Sequence, residues 1–134
     1  QRSHLILIDS REKTPLIFPP FLTVAGGPLP WSPSGRTVSL HTQSKRLPTG
    51  DYILSEHPAR GCVERKAHLS ELHQNLFSEH RHRLFADELK RLRDHFSHPL
   101  VLIEGSPSRP LPVRPGLPSA DLILDVLMAL LSRY

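Results

Sequence analysis

Cysteine is almost absent from this sequence, since Cys62 is the only one among 134 residues. A single cysteine excludes an internal disulfide and a cysteine-rich zinc site. Because Cys62 lies in an apolar run, we expect it to be a small buried hydrophobe. Long hydrophobic runs are also lacking: the most apolar stretch, 122–131, is too short to cross a bilayer and contains Asp125. No stretch has the pattern of a signal peptide, so the sequence predicts an intracellular protein with no membrane span.

The composition is that of an ordinary globular domain, with 38% hydrophobic and 22% charged residues. The length suits a single domain, 1–134, with a real core. Because the chain does not begin with methionine, we expect flanking domains outside it. The net charge is +4 with histidine neutral, and the pI is about 9.7, which is consistent with a polyanionic partner.

Residues 50–66 are predicted to form two short strands joined by a polar turn. Alternate side chains of a strand share a face, so Glu64 and Lys66 point the same way and Arg65 points the other way. The hairpin brings Asp51 close to Glu64. Two carboxylates suit a hard divalent cation such as Mg²⁺, and a neighbouring lysine can orient an attacking water. The alternative is an exposed hairpin that carries a simple Glu–Lys pair.

The pattern Gly50-Asp51 followed by Val63-Glu64-Arg65-Lys66 resembles the G-D…(V/I)-E-R-K-x-x-x-D signature of XPF-type structure-specific endonucleases, which belong to the restriction-like PD-(D/E)xK superfamily. Residues 4–12 resemble the opening strand of that family and its D-x-R-E turn, and 99–105 resemble its closing strand. The resemblance implies an α/β restriction-endonuclease-like fold, with a mixed central sheet flanked by helices and a core at about 4–105.

The resemblance also implies roles for individual residues. Asp51 and Glu64 would bind Mg²⁺ or Mn²⁺ together with the backbone carbonyl of Arg65, and Lys66 would position the attacking water. Around them, an outer acidic shell would be braced by ion pairs from two arginines. The shell residues are Asp9 and Glu12, and the arginines are Arg11 and Arg65. For Arg11 and Glu12, a solvated turn after the first strand is an equal alternative.

Position 70 departs from the family signature, because Ser70 stands where the aspartate after the motif lysine is expected. Serine is a good helix N-cap, so Ser70 is predicted to begin the next helix. The neighbouring Glu71 is a candidate to supply the lost carboxylate, and both Asp9 and Glu71 are further candidate metal ligands.

Apolar periodicity predicts the remaining elements. Strands are expected at 4–8, 37–43, 51–55 and 61–66, with a buried strand at 100–103, and helices from about residue 70, at 82–96 and at 119–134 with Ser119 as cap. The Pro- and Gly-rich segment 19–36 is predicted to lack regular structure, with Trp31 either anchoring it or stacking on DNA. The proline-rich segment 106–118 is expected to be a stiff connection.

Two surfaces point to partners. The cluster His80-Arg81-His82-Arg83 places cations at a helix N-terminus, which opposes the helix dipole and indicates either a DNA backbone contact or plain solvation. The helix at 119–134 is apolar around nearly its whole circumference. It is therefore either a buried core helix or the interface of a homodimer or heterodimer.

Together with the acidic motif, the resemblance to XPF-type endonucleases implies a metal-dependent endonuclease in DNA repair or recombination, in the nucleoid or nucleus. By resemblance, its substrate would be branched, flap or fork DNA near single-strand/double-strand junctions. The alternative is a catalytically silent subunit that binds DNA or dimerises. A third candidate is a restriction or phage-recombination nuclease that cuts plain duplex.

Overall fold

The computed structural model of the protein describes residues 2–27, 34–104 and 120–134. Six strands and three helices lie in these ranges. The strands are β1 (Arg2–Asp9), β2 (Phe21–Ala25), β3 (Ser34–Lys45), β4 (Tyr52–Leu54), β5 (Gly61–Lys66) and β6 (His98–Ile103), and the helices are α1 (Leu69–Phe77), α2 (Glu79–His95) and α3 (Ala120–Leu131).

The strands form one mixed sheet in the order β2-β3-β1-β4-β5-β6. β1 runs parallel to β3 and β5 runs parallel to β6, while β4 is antiparallel to both β1 and β5. The mixed sheet with its helices confirms the predicted α/β fold class. Because β4 runs antiparallel to its two neighbours, the C-terminal ends of β1 and β5 lie next to the beginning of β4. These strand ends form the edge of the sheet at which the candidate site is located.

The helices pack over one face of the sheet and form the main core with Cys62, which is buried as predicted. In each helix, the buried side chains recur three or four residues apart, which is the spacing of one helical face. They are Leu72 and Leu76 in α1; Phe85, Leu89 and Leu92 in α2; and Ile123, Leu127 and Leu130 in α3. Burying each of these side chains contributes about 2 kcal/mol of transfer free energy. In α2, the need to bury Phe85, Leu89 and Leu92 together therefore determines how the helix is rotated about its axis relative to the sheet.

The opposite face of the sheet carries a smaller cluster, formed by Ile6, Ile8 and Tyr52. Strand β6 was predicted to be buried, and this is wrong for half of its residues. Leu100 is 64% exposed and Leu102 is 40% exposed, whereas Val101 packs against the helices. β6 is the edge strand of the described sheet and is covered on only one face, so its side chains alternate between core and surface.

Strand β2 contradicts the prediction that 19–36 lacks regular structure. It pairs antiparallel with β3, which extends beyond the predicted 37–43 in both directions. The prolines and glycines around β2 obscured its strand-forming residues, and an edge strand tolerates such neighbours. Trp31 lies outside the described residues.

Two helix starts also differ from the prediction. α1 begins at Leu69 with His68 at the N-cap, so the prediction that Ser70 caps it is wrong. α2 begins at Glu79, earlier than predicted, because only Ser78 separates it from α1. α3 ends at Leu131 within the predicted range, while Ser119 and 106–118 lie outside the described residues. Among the described helices, none has both the length and the apolar character needed to span a membrane.

Candidate active site

Two main-chain hydrogen bonds hold the strand ends together at the edge of the sheet. The N–H of Asp9, the last residue of β1, donates to the carbonyl of Asp51 at 2.8 Å. The N–H of Asp51 in turn donates to the carbonyl of Val63 at 2.9 Å. Asp51 therefore lies between the end of β1 and the end of β5, as the hairpin reading predicts.

Gly50 makes this arrangement possible. Its φ of 80° lies in the left-handed region that side chains disfavour. A Cβ atom at this position would lie 1.9 Å from the sulfur of the buried Cys62. Glycine is therefore required at this turn by both its backbone conformation and the close approach of β5.

A polar cavity of about 290 Å³ opens beside this edge. Its lining consists of Asp9, Arg11, Pro48, Thr49, Gly50, Asp51, Glu64, Glu88 and Arg91. Asp9 and Glu64 are buried, as is the neighbouring Lys66. The structure thus brings together the two carboxylates that sequence reasoning paired, and it places Lys66 beside them.

Asp51 has one carboxylate oxygen fixed by the protein, because the main-chain N–H of Arg65 donates to Oδ2 at 2.8 Å. Burial raises the pKa of Asp51 to about 6, and the negative charges of Glu12 and Glu88 act in the same direction. The Arg65 hydrogen bond and the charge of Lys66 oppose this rise in the pKa. The hydrogen bond from Arg65 therefore fixes the orientation of the Asp51 carboxylate, but nearby positive charge does not fully compensate its ionised form.

The environment of Glu64 disfavours the ionised carboxylate even more strongly than that of Asp51 does. Burial raises the pKa of Glu64 to about 10, with further increases from the hydrogen bond and charge of Glu88 and from the charge of Asp51. Lys66 opposes the rise, since its Nζ lies 3.4 Å from Glu64 Oε1. The same ammonium lies 3.9 Å from Glu88 Oε2 and 4.8 Å from the centre of the Phe85 ring. One lysine therefore compensates several carboxylates, and the cavity has an excess of negative charge.

The outer residues form two separate supports. Asp9 accepts hydrogen bonds at both oxygens, from Arg11 Nε at 2.7 Å and from the Leu47 N–H at 3.1 Å. Arg11 also donates to the Leu47 carbonyl at 2.8 Å. This ion pair joins the loop after β1 to the segment before Gly50, on the wall of the cavity.

The second support is centred on Arg65, whose side chain points away from Glu64 and Lys66. Arg65 pairs with Glu12 at 3.0 Å and makes a two-pronged contact with Glu104 at 2.9 and 3.0 Å. The Tyr52 hydroxyl donates to the same Glu12 oxygen at 3.0 Å. Glu12 does not line the cavity, so its contribution is to hold Arg65, and through it β5, in place.

Neither Ser70 nor Glu71 lines the cavity; Glu71 lies in the first turn of α1. Besides Asp9, Asp51 and Glu64, the cavity lining contains a fourth carboxylate, Glu88 from α2, and a second rim cation, Arg91. Sequence reasoning missed both of them. The available signal was that Glu88 adjoins the apolar stripe of α2, three residues after Phe85, and therefore faces the sheet rather than solvent.

The predicted cationic cluster at the start of α2 is only partly free. Arg83 pairs with Glu79, so the prediction that it is uncompensated is wrong. His82 contacts the Leu76 carbonyl through Nδ1 at 3.0 Å. Arg81 donates to the neutral amide of Gln74 and has no carboxylate partner among residues 2–27, 34–104 and 120–134, and His80 is exposed. A DNA contact here therefore depends chiefly on Arg81 and His80.

The donor set fits a hard, partly hydrated cation. Within 2–27, 34–104 and 120–134, no group of three or more His, Cys, Asp or Glu side chains has the geometry of a preformed metal cage. Mg²⁺ does not require one, because it keeps several waters and uses one or two carboxylates. Asp51 and Glu64 meet that requirement, and their raised pKa values mark a site where a cation would relieve repulsion.

Comparisons with known proteins agree with this fold. Residues 35–114 match the ERCC4 domain, a span that contains the whole hairpin motif. The structure is similar to XPF from Aeropyrum pernix with a TM-score of 0.58 and 24% sequence identity. That match covers 97% of this chain and 49% of the archaeal protein, so the chain spans about half of its length. A comparison with curated protein sequences finds no match. The chain belongs to the ERCC4 domain family and has the fold of an XPF-type nuclease domain.

Proposed function

We propose that this protein is a divalent-metal-dependent DNA endonuclease that hydrolyses phosphodiester bonds in branched DNA. The observation that carries the proposal is that Asp51 and Glu64 line one polar cavity at the strand ends, with the ammonium of Lys66 3.4 Å from Glu64 Oε1. Membership of the ERCC4 domain family supports the nuclease class.

In this proposal Asp51 and Glu64 hold Mg²⁺ or Mn²⁺, together with the backbone carbonyl of Arg65. Such an ion makes water a better nucleophile at neutral pH and offsets negative charge on the phosphate. The Arg65 N–H keeps Asp51 Oδ2 engaged, so the carboxylate presents its other oxygen to the cavity. Asp9 and Arg11 hold the cavity wall, and Glu12 and Arg65 brace the strand that carries Glu64.

Lys66 orients the attacking water and stabilises charge that develops on the phosphate. Its ammonium is held by Glu64, Glu88 and the face of Phe85, and the residue is only 5% exposed. A cation fixed in advance by such contacts needs little reorganisation when negative charge develops. The position of Lys66 next to Glu64 therefore suits both tasks.

The proposed substrate is flap or fork DNA, processed in repair or recombination. The motif Gly50-Asp51…Val63-Glu64-Arg65-Lys66 supports this through its resemblance to structure-specific nucleases. Arg81 and His80 at the start of α2, with Arg11 and Arg91 at the cavity rim, supply cations for the phosphate backbone.

We also propose that α3 mediates a homodimer or heterodimer. Its buried stripe faces the core, yet Met128 on the same helix is 65% exposed. Light scattering after size exclusion should show a dimer for the wild type and a monomer for Met128→Glu. Ser132→Glu adds the same charge at an exposed position and is expected to remain dimeric. A monomeric wild type at high concentration would contradict homodimerisation.

The nuclease proposal is tested with labelled flap, fork and linear duplex DNA in Mg²⁺ or EDTA. Wild type should cut the branched substrates only with metal. Glu64→Ala and Lys66→Ala should each slow cleavage by about 100-fold or more, as the loss of a charge-stabilising group does. Glu79→Ala, which removes an exposed carboxylate on α2, is the control and should stay within about twofold of wild type.

Two results would replace this proposal. If wild type binds branched DNA but never cuts it, and both variants behave identically, the chain is a silent DNA-binding subunit. If linear duplex is cut as fast as flap and fork DNA, the chain is a nuclease without preference for branched structure.

A further inference from the structure

Glu88 lines the same cavity as Asp51 and Glu64. It is carried by α2, where it lies three residues after the buried Phe85 and next to the buried Leu89. Its Oε2 lies 3.9 Å from Lys66 Nζ, and its side chain is only 22% exposed. Glu88 therefore belongs to the same charged cluster as Glu64 and Lys66, although it is distant from them in sequence.

The presence of Glu88 is not explained by the need to neutralise Lys66. Glu64 already pairs with that ammonium at the shorter distance of 3.4 Å. Both carboxylates therefore approach the same ammonium, and two adjacent carboxylates repel each other when both are ionised unless a cation lies near them.

The balance of charges around Lys66 indicates which kind of ligand Glu88 would favour. Asp9 is already paired with Arg11, which leaves Asp51, Glu64 and Glu88 around a single buried ammonium. When all three are ionised, their negative charge exceeds the charge of Lys66 by two, with Arg91 as a further cation at the exposed rim. A divalent cation carries the matching charge, whereas Ser70 offers no carboxylate from α1.

We propose that Glu88 takes over the part of the aspartate that Ser70 replaces, as a positioning residue that holds Lys66 against Glu64 and supplies the third negative charge for retaining a divalent cation. The inference rests on the proposed nuclease function and assigns the missing carboxylate to α2 rather than to Glu71. Glu88 acts through Lys66 and Glu64.

The test measures Mn²⁺ binding to the metal-free protein by titration calorimetry, without DNA. Glu88→Gln keeps the shape of the side chain and removes its charge, and it should weaken Mn²⁺ binding by about 10- to 100-fold, as the loss of a supporting residue does. Glu88→Asp keeps the carboxylate and should recover part of that loss. Asp87→Asn removes a charge from the neighbouring exposed position and should leave binding within about twofold.

A second measurement separates this role from a merely structural one. Without metal, Glu88→Gln removes the charge that faces Lys66 at 3.9 Å, and the melting temperature of the variant measures how much that contact stabilises the fold. A lower melting temperature with unchanged Mn²⁺ affinity would make Glu88 a structural residue and overturn the inference.

The outcome also distinguishes the two proposals. If wild type binds Mn²⁺ and cuts flap DNA, but Glu88→Gln binds Mn²⁺ equally well, only the role of Glu88 fails. If wild type neither binds Mn²⁺ nor cuts any DNA, the nuclease function itself fails, and the role of Glu88 fails with it.

Discussion

The main-chain N–H of Arg65 and the carboxylate of Asp51 are joined by a hydrogen bond of 2.8 Å that crosses from β5 to the beginning of β4. This bond orients Asp51 before any ligand arrives. The geometry of the candidate site is therefore set by backbone pairing as much as by side chains.

Asp51→Asn should abolish metal binding while preserving the fold. The amide oxygen of asparagine can still accept from the Arg65 N–H, but the side chain no longer carries negative charge. We expect Mn²⁺ affinity and flap cleavage to fall by at least about 100-fold, more than the loss of a supporting residue typically causes. Calorimetry and cleavage rates measure the loss, and circular dichroism checks the fold. Activity within about tenfold of wild type would remove Asp51 from the site.

The stability of the metal-free protein should depend on Glu64 and pH. Burial and Glu88 raise the pKa of Glu64 from its ordinary 4.5 to about 10, so the folded state binds a proton that the unfolded state releases. The stability linked to this proton is complete below pH 4.5 and is lost progressively as pH rises toward 10. Glu64→Gln should therefore stabilise the metal-free protein at pH 8 by at least about 1 kcal/mol, and have a smaller effect at pH 4.

Denaturant titration at both pH values measures this difference. Asp51 adds a second, narrower dependence, because its pKa rises from 3.8 to about 6 and its linked stability is lost between those values. Saturating Mn²⁺ should cancel the gain in stability from Glu64→Gln, since the cation binds and stabilises the wild type with Glu64 ionised. An equal effect of Glu64→Gln at pH 4 and pH 8 would contradict the assigned proton.

Arg65→Lys should destabilise the protein by about 2–4 kcal/mol, because a lysine cannot reproduce the two-pronged contact with Glu104 while also pairing with Glu12. The Arg65 side chain is only 10% exposed, so solvent does little to replace the lost contacts. Urea unfolding measures the change. Arg93→Lys is the matched control, since Arg93 pairs with Asp94 on the surface and should cost less than about 1 kcal/mol.

Arg81→Ala should weaken binding to fork DNA without changing the cleavage rate of saturated enzyme. Within the part of the chain that the structure describes, Arg81 donates to the neutral amide of Gln74 and pairs with no carboxylate, so its charge is available to a phosphate. Fluorescence anisotropy at several salt concentrations should show the log–log salt slope reduced by about 1. Arg83→Ala removes an arginine that is paired with Glu79 and should change the slope less. Equal slopes for Arg81→Ala and wild type would exclude Arg81 from the DNA contact.

The strand pattern of the motif was predictable because it depends on local geometry. Alternation along β5 places Glu64 and Lys66 on one face and Arg65 on the other, whatever the rest of the chain does. The antiparallel turn then brings Asp51 alongside. Gly50 is equally local, because its positive φ belongs to the turn itself. The fold class followed from the same motif and from the apolar strands around it.

The errors arose where neighbours outweighed local signals. β2 was missed because prolines and glycines flank it, although pairing with β3 supplies the hydrogen bonds that the segment lacks alone. Arg83 was counted as a free cation, although Glu79 lies one turn away once the helix begins at Glu79. Ser70 could not cap a helix that begins one residue before it.

By itself, the sequence determined the hairpin and the pairing of two acids with one lysine, because the period of a strand dictates which side chains share a face. Only the tertiary structure decided that Glu88 and Arg91 border the same cavity and that Glu71 does not. A helix is turned about its axis by the packing of its apolar stripe, here Phe85, Leu89 and Leu92, against partners distant in the chain. Which polar side chain beside that stripe reaches the site is therefore settled only when the core closes.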